Sequence, residues 1–149
     1  MSICVKRLID SDDSGGDACL TSSGIYTTFK DSQRNLWIGS YTGGVSQVIF
    51  SKYPITFITH RHKERQSLVN DNVKSIAEGQ DGSMWFATER GISVYSPANR
   101  TWRHLLPGKV CVSLCRGNGG EMAVGTYASG IFVTDSKGNV TRHLTRQTD

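Results

Sequence analysis

The sequence predicts an all-β chain of β-propeller blades, about three four-stranded antiparallel blades plus one extra strand, forming an incomplete propeller. Three observations predict it. One segment recurs three times along the chain at blade-length intervals. Short apolar runs alternate with Gly, Asn, Asp and Ser turn residues from end to end. No stretch sustains the 3.6-residue apolar period of a helix.

The recurring segment occupies residues 25–45, 73–92 and 111–131. In the second and third copies, Val73, Ile76, Gly82, Trp85 and Ala87 align with Cys111, Leu114, Gly120, Ala123 and Gly125. The lag is 48 residues from Trp37 to Trp85, 38 from Thr88 to Thr126 and 39 from Gly91 to Gly130. These intervals bracket the roughly 40–50 residues of a propeller blade. Arg103-His104-Leu105 recurs as Arg142-His143-Leu144, again 39 residues on.

Each copy divides into four short strands. Residues 3–9 read as the outermost strand of a preceding blade, and the polar run 10–19 as a flexible linker, so that 1–19 forms one segment. The first blade, 20–64, has strands at 25–30, 36–40, 45–49 and 54–60. The second, 65–106, has them at 73–78, 84–88, 91–96 and 101–106. Asp81-Gly82 supplies the positive φ of a tight hairpin, and Ser96-Pro-Ala-Asn-Arg100 makes the last turn. The third, 107–149, has strands at 111–116, 122–126, 130–135 and 139–145, with Asp135-Ser-Lys-Gly-Asn139 as a turn. A sheet of this kind buries both faces by stacking on neighbours. Three blades therefore leave two apolar end faces, and typical propellers close with about 4–8 blades. The expected partners are further blades of a parent protein or another copy of the chain.

Asp31-Ser-Gln-Arg-Asn-Leu-Trp-Ile-Gly-Ser-Tyr-Thr-Gly-Gly-Val45, and Leu68 through Ile92, resemble the two-component regulator propeller repeat. The resemblance covers about residues 20–145. It implies a piece of the large periplasmic sensor region of hybrid two-component histidine kinases of Bacteroidetes, a family implicated in sensing glycan breakdown products. Three departures stand out. Glu78 offers an acid at a shifted position, Arg34 replaces the turn glycine of the first copy, and Ala123 replaces the tryptophan of the third. The immunoglobulin-like domain, membrane helix, kinase and receiver of that family are missing from this sequence. The expectation is a segment that neither crosses a membrane nor transfers phosphate, and that sits in the periplasm as part of an anchored parent. The sequence from Met1 to Arg7 has no long apolar stretch of a signal peptide. Expressed as it stands, the chain is expected to stay in the cytoplasm.

Composition narrows the function classes. The 17 basic and 13 acidic residues give a net charge of +4, scattered except at His60-Arg-His-Lys-Glu-Arg65. Nucleic-acid binding usually shows a larger basic stripe and a recognisable module. No run approaches the roughly 18 apolar residues that span a bilayer. Of four cysteines, Cys4, Cys19, Cys111 and Cys115, none forms a C-x-x-C pair. Cys111 and Cys115 would share one strand face about 13 Å apart, too far for a disulfide, and the cysteines read as small buried apolar side chains.

Candidate chemistry is sparse. No nucleophile elbow, phosphate loop or zinc-protease motif occurs, so no catalytic residue, cofactor or metal is assigned. Trp37 and Trp85 hold equivalent positions and read as blade-to-blade packing. Trp102, on an outer strand, is less committed to a core. His60 and His62 would face one way on a strand, but no third ligand is spaced to complete a metal site. His104 and His143 recur with the repeat and read as packing or hydrogen-bonding groups. The loops between second and third strands vary, and loops on a rigid scaffold are where binding residues gather. Tyr41, Glu89, Arg90 and Tyr127 there are the candidate ligand-binding residues, suited to a polyhydroxylated ligand such as an oligosaccharide. The favoured reading is a non-catalytic sensory module. A self-associating interaction scaffold is the alternative, and a propeller lyase is the enzyme reading that fits least.

Overall fold

The computed structural model describes residue 20 and residues 22–48 and 56–146. The strand expected at 3–9 and the linker at 10–19 lie outside the described residues. Among the described residues twelve strands follow one another: β1 (Ile25–Lys30), β2 (Leu36–Ser40), β3 (Val45–Val48), β4 (Thr56–Ile58), β5 (Val73–Glu78), β6 (Met84–Thr88), β7 (Gly91–Ser96), β8 (Thr101–Leu105), β9 (Cys111–Arg116), β10 (Met122–Thr126), β11 (Ile131–Thr134) and β12 (Val140–Leu144). They form three separate four-stranded meanders, β1–β4, β5–β8 and β9–β12, each paired antiparallel in sequence order. These are three propeller blades. Close contact between blades runs through their first and second strands: β1 and β2 against β5, and β5 and β6 against β9.

The core lies between blades rather than within them, because a flat sheet can bury apolar side chains only against another layer. Between the first two blades, Trp37 and Val45 meet Leu68, Val73, Ile76, Met84 and Phe86. The Trp37 and Phe86 rings sit 5.6 Å apart. Between the second and third, Ala77, Trp85, Ala87, Ile92 and Val94 meet Cys111, Met122, Val124 and Phe132. The repeated tryptophans are thus inter-blade packing, 1% and 2% exposed. Each indole N–H also has a partner. Trp37 Nε1 donates to Asp31 Oδ2 at 2.8 Å, and Trp85 Nε1 to Ser83 Oγ at 3.0 Å. Trp102 is drawn in further than expected: it is half-buried, 4.8 Å from the Tyr95 ring and 6.0 Å from Phe86.

One feature repeats in all three blades without any mark in the sequence. The first strand bulges one residue from its start. Ile25 pairs with Ser40 but Thr27 with Gly39. Val73 pairs with Thr88 but Ser75 with Ala87. Cys111 pairs with Thr126 but Ser113 with Gly125. Tyr26, Lys74 and Val112 are the extra residues, and a bulge re-aims the side chains on either side of it. The bulge corrects the reading of the cysteines. Cys111 and Cys115 pair with Thr126 and Ala123, an odd number of residues apart on β10, so they lie on opposite faces. Cys111 is buried and Cys115 exposed.

The expectation that His60 and His62 share a strand face also fails, because β4 ends at Ile58. His60 lies in the connector, where its N–H donates to Asp71 Oδ1 and its Nδ1 sits 2.7 Å from the Leu68 carbonyl. His104 and His143 hold backbone carbonyls, of Arg65 and Ser129, at 3.0 and 2.7 Å.

Candidate functional site

The three loops between second and third strands are built on one device. A hydroxyl at the end of the second strand donates to the carbonyl of the glycine that opens the third: Ser40 to Gly44 at 3.0 Å, Thr88 to Gly91 at 2.8 Å and Thr126 to Gly130 at 2.7 Å. The same oxygen accepts a loop N–H, from Gly43, Arg90 and Ser129 respectively. Gly44 has φ +73°, and a Cβ there would lie 2.5 Å from the Ile58 carbonyl, so only glycine fits. With its base fixed this way, each loop is free to vary in length and composition.

On the first and second blades these loops meet the bulged residues. Tyr41, 51% exposed, stands edge-on to Tyr26 with ring centroids 5.5 Å apart. The Lys74 ammonium lies 4.7 Å from the centre of the Tyr26 ring and 3.2 Å from Glu89 Oε1. Tyr41, Tyr26, Lys74 and Glu89 therefore form a continuous array across two blades, on the side where their first strands adjoin. Backbone bonds set its position: Tyr41 N–H donates to the Gly24 carbonyl at 2.9 Å, as Tyr127 N–H does to Val110.

Of the four residues singled out by sequence, the array includes Tyr41 and Glu89. Arg90 is exposed on the adjoining turn, where its carbonyl accepts from Gly108 N–H. Tyr127 is 82% exposed on the third blade. Arg90 follows Glu89 in the chain, but among the described residues no hydrogen bond, ion pair or ring contact joins the Arg90 or Tyr127 side chain to Tyr41 or Glu89. Tyr26 and Lys74 were not singled out by sequence; only the register shift that exposes them identifies them.

The chemistry of the array is that of recognition. Two half-exposed phenol rings at right angles offer stacking faces and hydroxyls. The ammonium and carboxylate beside them neutralise each other, so the surface carries donors and acceptors with no net charge. Elsewhere the notable groups are structural. Glu78 accepts from Ser32 N–H at 3.1 Å and from its hydroxyl at 2.6 Å, tying the second blade to the first. Asp81 is held below the usual carboxylate range. Partial burial works against this but is outweighed by bonds from the Ser83 hydroxyl and N–H, with Arg103 assisting. Burial pushes the Cys111 thiol up to about 11. Among the described residues no group of three or more His, Cys, Asp or Glu side chains is placed to hold a metal.

Comparison with known proteins agrees with this architecture. Residues 19–42 and 67–90 each match the family described as two component regulator propeller. No curated protein matches the chain significantly. Among solved structures, the extracellular domain of BT4673 from B. thetaiotaomicron, described as a hybrid two component system, is 21% identical, with a TM-score of 0.70 over 87% of this chain and 17% of that one. PorZ of the type-IX secretion system of Porphyromonas gingivalis is 13% identical, with a TM-score of 0.66 over 87% of this chain and 22% of PorZ. Virginiamycin B lyase from Staphylococcus aureus is 16% identical, with a TM-score of 0.63 over 84% of this chain and 43% of the lyase. This chain thus spans a minor part of each, and the likenesses establish the propeller fold.

Proposed function

We propose that this chain, with its two-component regulator propeller repeats, is a non-catalytic, ligand-receiving part of a two-component sensor. On this reading the parent is anchored in a membrane and holds the blades in the periplasm, and the remaining blades are the chain's first partners. The ligand is an oligosaccharide. Tyr41 and Glu89 contact it together with Tyr26 and Lys74, and Arg90 and Tyr127 extend the surface. The observation that carries the reading is the array itself, an aromatic pair and a neutralised ion pair built across two blades from side chains that no core requires. Aromatic faces take up the C–H face of a sugar, and the flanking polar groups meet its hydroxyls.

The likeness to a lyase adds no chemistry to this surface. The described histidines belong to the outer part of the blades: His60 and His62 follow β4, His104 is on β8 and His143 on β12. Among the described residues none has a hydrogen bond or ring contact with Tyr26, Tyr41, Lys74 or Glu89.

Titration calorimetry against a panel of neutral oligosaccharides tests the proposal. The expected result is binding of one class, weakened about tenfold or more by Tyr41→Ala, consistent with roughly 1–2 kcal/mol for a lost aromatic contact. Arg90→Ala is expected to weaken it less. Absence of binding across the panel, or binding indifferent to Tyr41→Ala, overturns the reading, as would turnover of any bound sugar.

A further inference from the structure

The outward face of the third blade repeats, position by position, the face that the second blade buries. On the second blade the rows Ala77–Trp85–Val94 and Ala87–Ile92–Leu105 lie against the third. Their counterparts are Cys115–Ala123–Val133 and Gly125–Ile131–Leu144. Ile92 is 0% exposed whereas Ile131 is 44% and Leu144 55% exposed. The polar fastenings also have counterparts. Arg103 donates to the Lys137 carbonyl in the last turn of the third blade, and Ser75 Oγ accepts from Leu114 N–H at 3.2 Å. Arg142 and Ser113 stand at the same positions one blade later, and neither side chain has a hydrogen-bond or ion-pair partner among the described residues.

We infer that this face is the unfilled half of a third inter-blade interface, and that it takes a further blade with one specific property: a bulky aromatic side chain at the central position of its second strand. The argument is volumetric. Where the first two blades meet, Trp37 faces Phe86; where the second and third meet, Trp85 faces the smaller Val124. At the next interface Ala123 replaces the tryptophan outright and Gly125 stands where the second blade has Ala87, while the rest of the two rows is nearly unchanged in bulk. Close-packed interiors do not tolerate a void of indole size. The incoming blade must therefore supply the missing ring itself. It also brings a turn carbonyl to Arg142 and a strand N–H to Ser113. A second copy of this chain fits poorly, because the corresponding residue on its first blade is Ile38, too small to fill the gap. The inference rests on the blade architecture and is independent of what the ligand is.

Two measurements test it. The full chain is expected to bind a hydrophobic dye such as ANS, and to lose most of that signal with Ile131→Asp and Leu144→Asp together. In sedimentation equilibrium it is expected to remain monomeric. A head-to-tail oligomer abolished by those substitutions would make the occupant a second copy and overturn the proposal. The second measurement extends the full chain by one blade that duplicates residues 107–146, carrying either the native valine or tryptophan at the position of Val124. The tryptophan form is expected to melt roughly 5 °C or more above the valine form. Placing Ala123→Trp in the preceding blade should reverse that order, a coupling characteristic of direct contact. Equal melting of the two forms, or an order unaffected by Ala123→Trp, refutes the volume argument.

Discussion

Removing the Trp85 ring is the sharpest test of where this protein keeps its stability. The side chain is 2% exposed and lies in the cluster of Val94, Met122, Val124 and Phe132 between two blades. Both walls are held by hydrogen-bonded ladders, so neither can move in to close the gap. Under those conditions a buried Trp→Ala substitution costs about 3–5 kcal/mol. For a domain of this size each kcal/mol lowers Tm by roughly 2–4 °C, so the expected loss is about 6–20 °C. The assay is thermal unfolding followed by far-ultraviolet circular dichroism. Two controls sharpen it. Trp102→Ala removes an indole that is only half-buried and is expected to cost about half as much. Trp85→Phe keeps one aromatic ring in place and loses the indole N–H and part of the ring's contacts. The Ser83 hydroxyl it leaves still donates to Asp81 at 2.6 Å, so the cost comes mainly from the smaller void and should be about 1–3 kcal/mol, below that of alanine. If Trp85→Ala melts above Trp102→Ala, stability does not reside between the blades and the reasoning fails.

Three other outcomes are expected. Arg34 occupies the left-handed region at φ +70°, where a Cβ is strained, so Arg34→Gly should stabilise the fold by about 0.5 kcal/mol after the entropic cost of the added glycine, a small rise in denaturation midpoint. Asp81 and Asp135 have carboxyls held below their ordinary value, Asp81 by the Ser83 bonds despite partial burial and Asp135 by the Asn139 amide and N–H. A depressed folded pKa contributes stability above the unfolded value near 3.8, and that contribution fades as pH falls through the folded one. Melting temperature should therefore decline below about pH 4, with a shallower decline for Asp81→Asn; an unchanged slope would contradict the assignment. The exposed Cys115 should react with iodoacetamide under native conditions while Cys111, buried and with its thiol raised to about 11, reacts only on unfolding, as peptide mass spectrometry can resolve.

The strand ladder was legible because its signals are local. Turns such as Asp81-Gly82 and Asp135–Asn139, and the interval between tryptophans, place each strand within a residue or two of its observed limits. Trp37 and Trp85 could be assigned to packing because recurrence at one register position implies one environment. What escaped depends on pairing rather than on composition. The bulges at Tyr26, Lys74 and Val112 arise where two strands fall out of step, and no single residue announces them. Missing them hid half of the candidate site and placed Cys115 in the interior. His60 was misread because a β-rich run was carried past the point where Asp71 and Leu68 capture the chain. Tyr41 and Glu89 were singled out because the loops differ between otherwise matching blades.

The bond from Ser40, Thr88 or Thr126 to the glycine beyond the loop separates two jobs that proteins often entangle. Above that clasp, three residues or two, Tyr-Thr-Gly or Glu-Arg, make no difference to the sheet below. The loop surface can then be rewritten by point changes or small insertions while the frame goes on folding as before. A lineage of such proteins can change its loop surfaces without having to reinvent its scaffold each time.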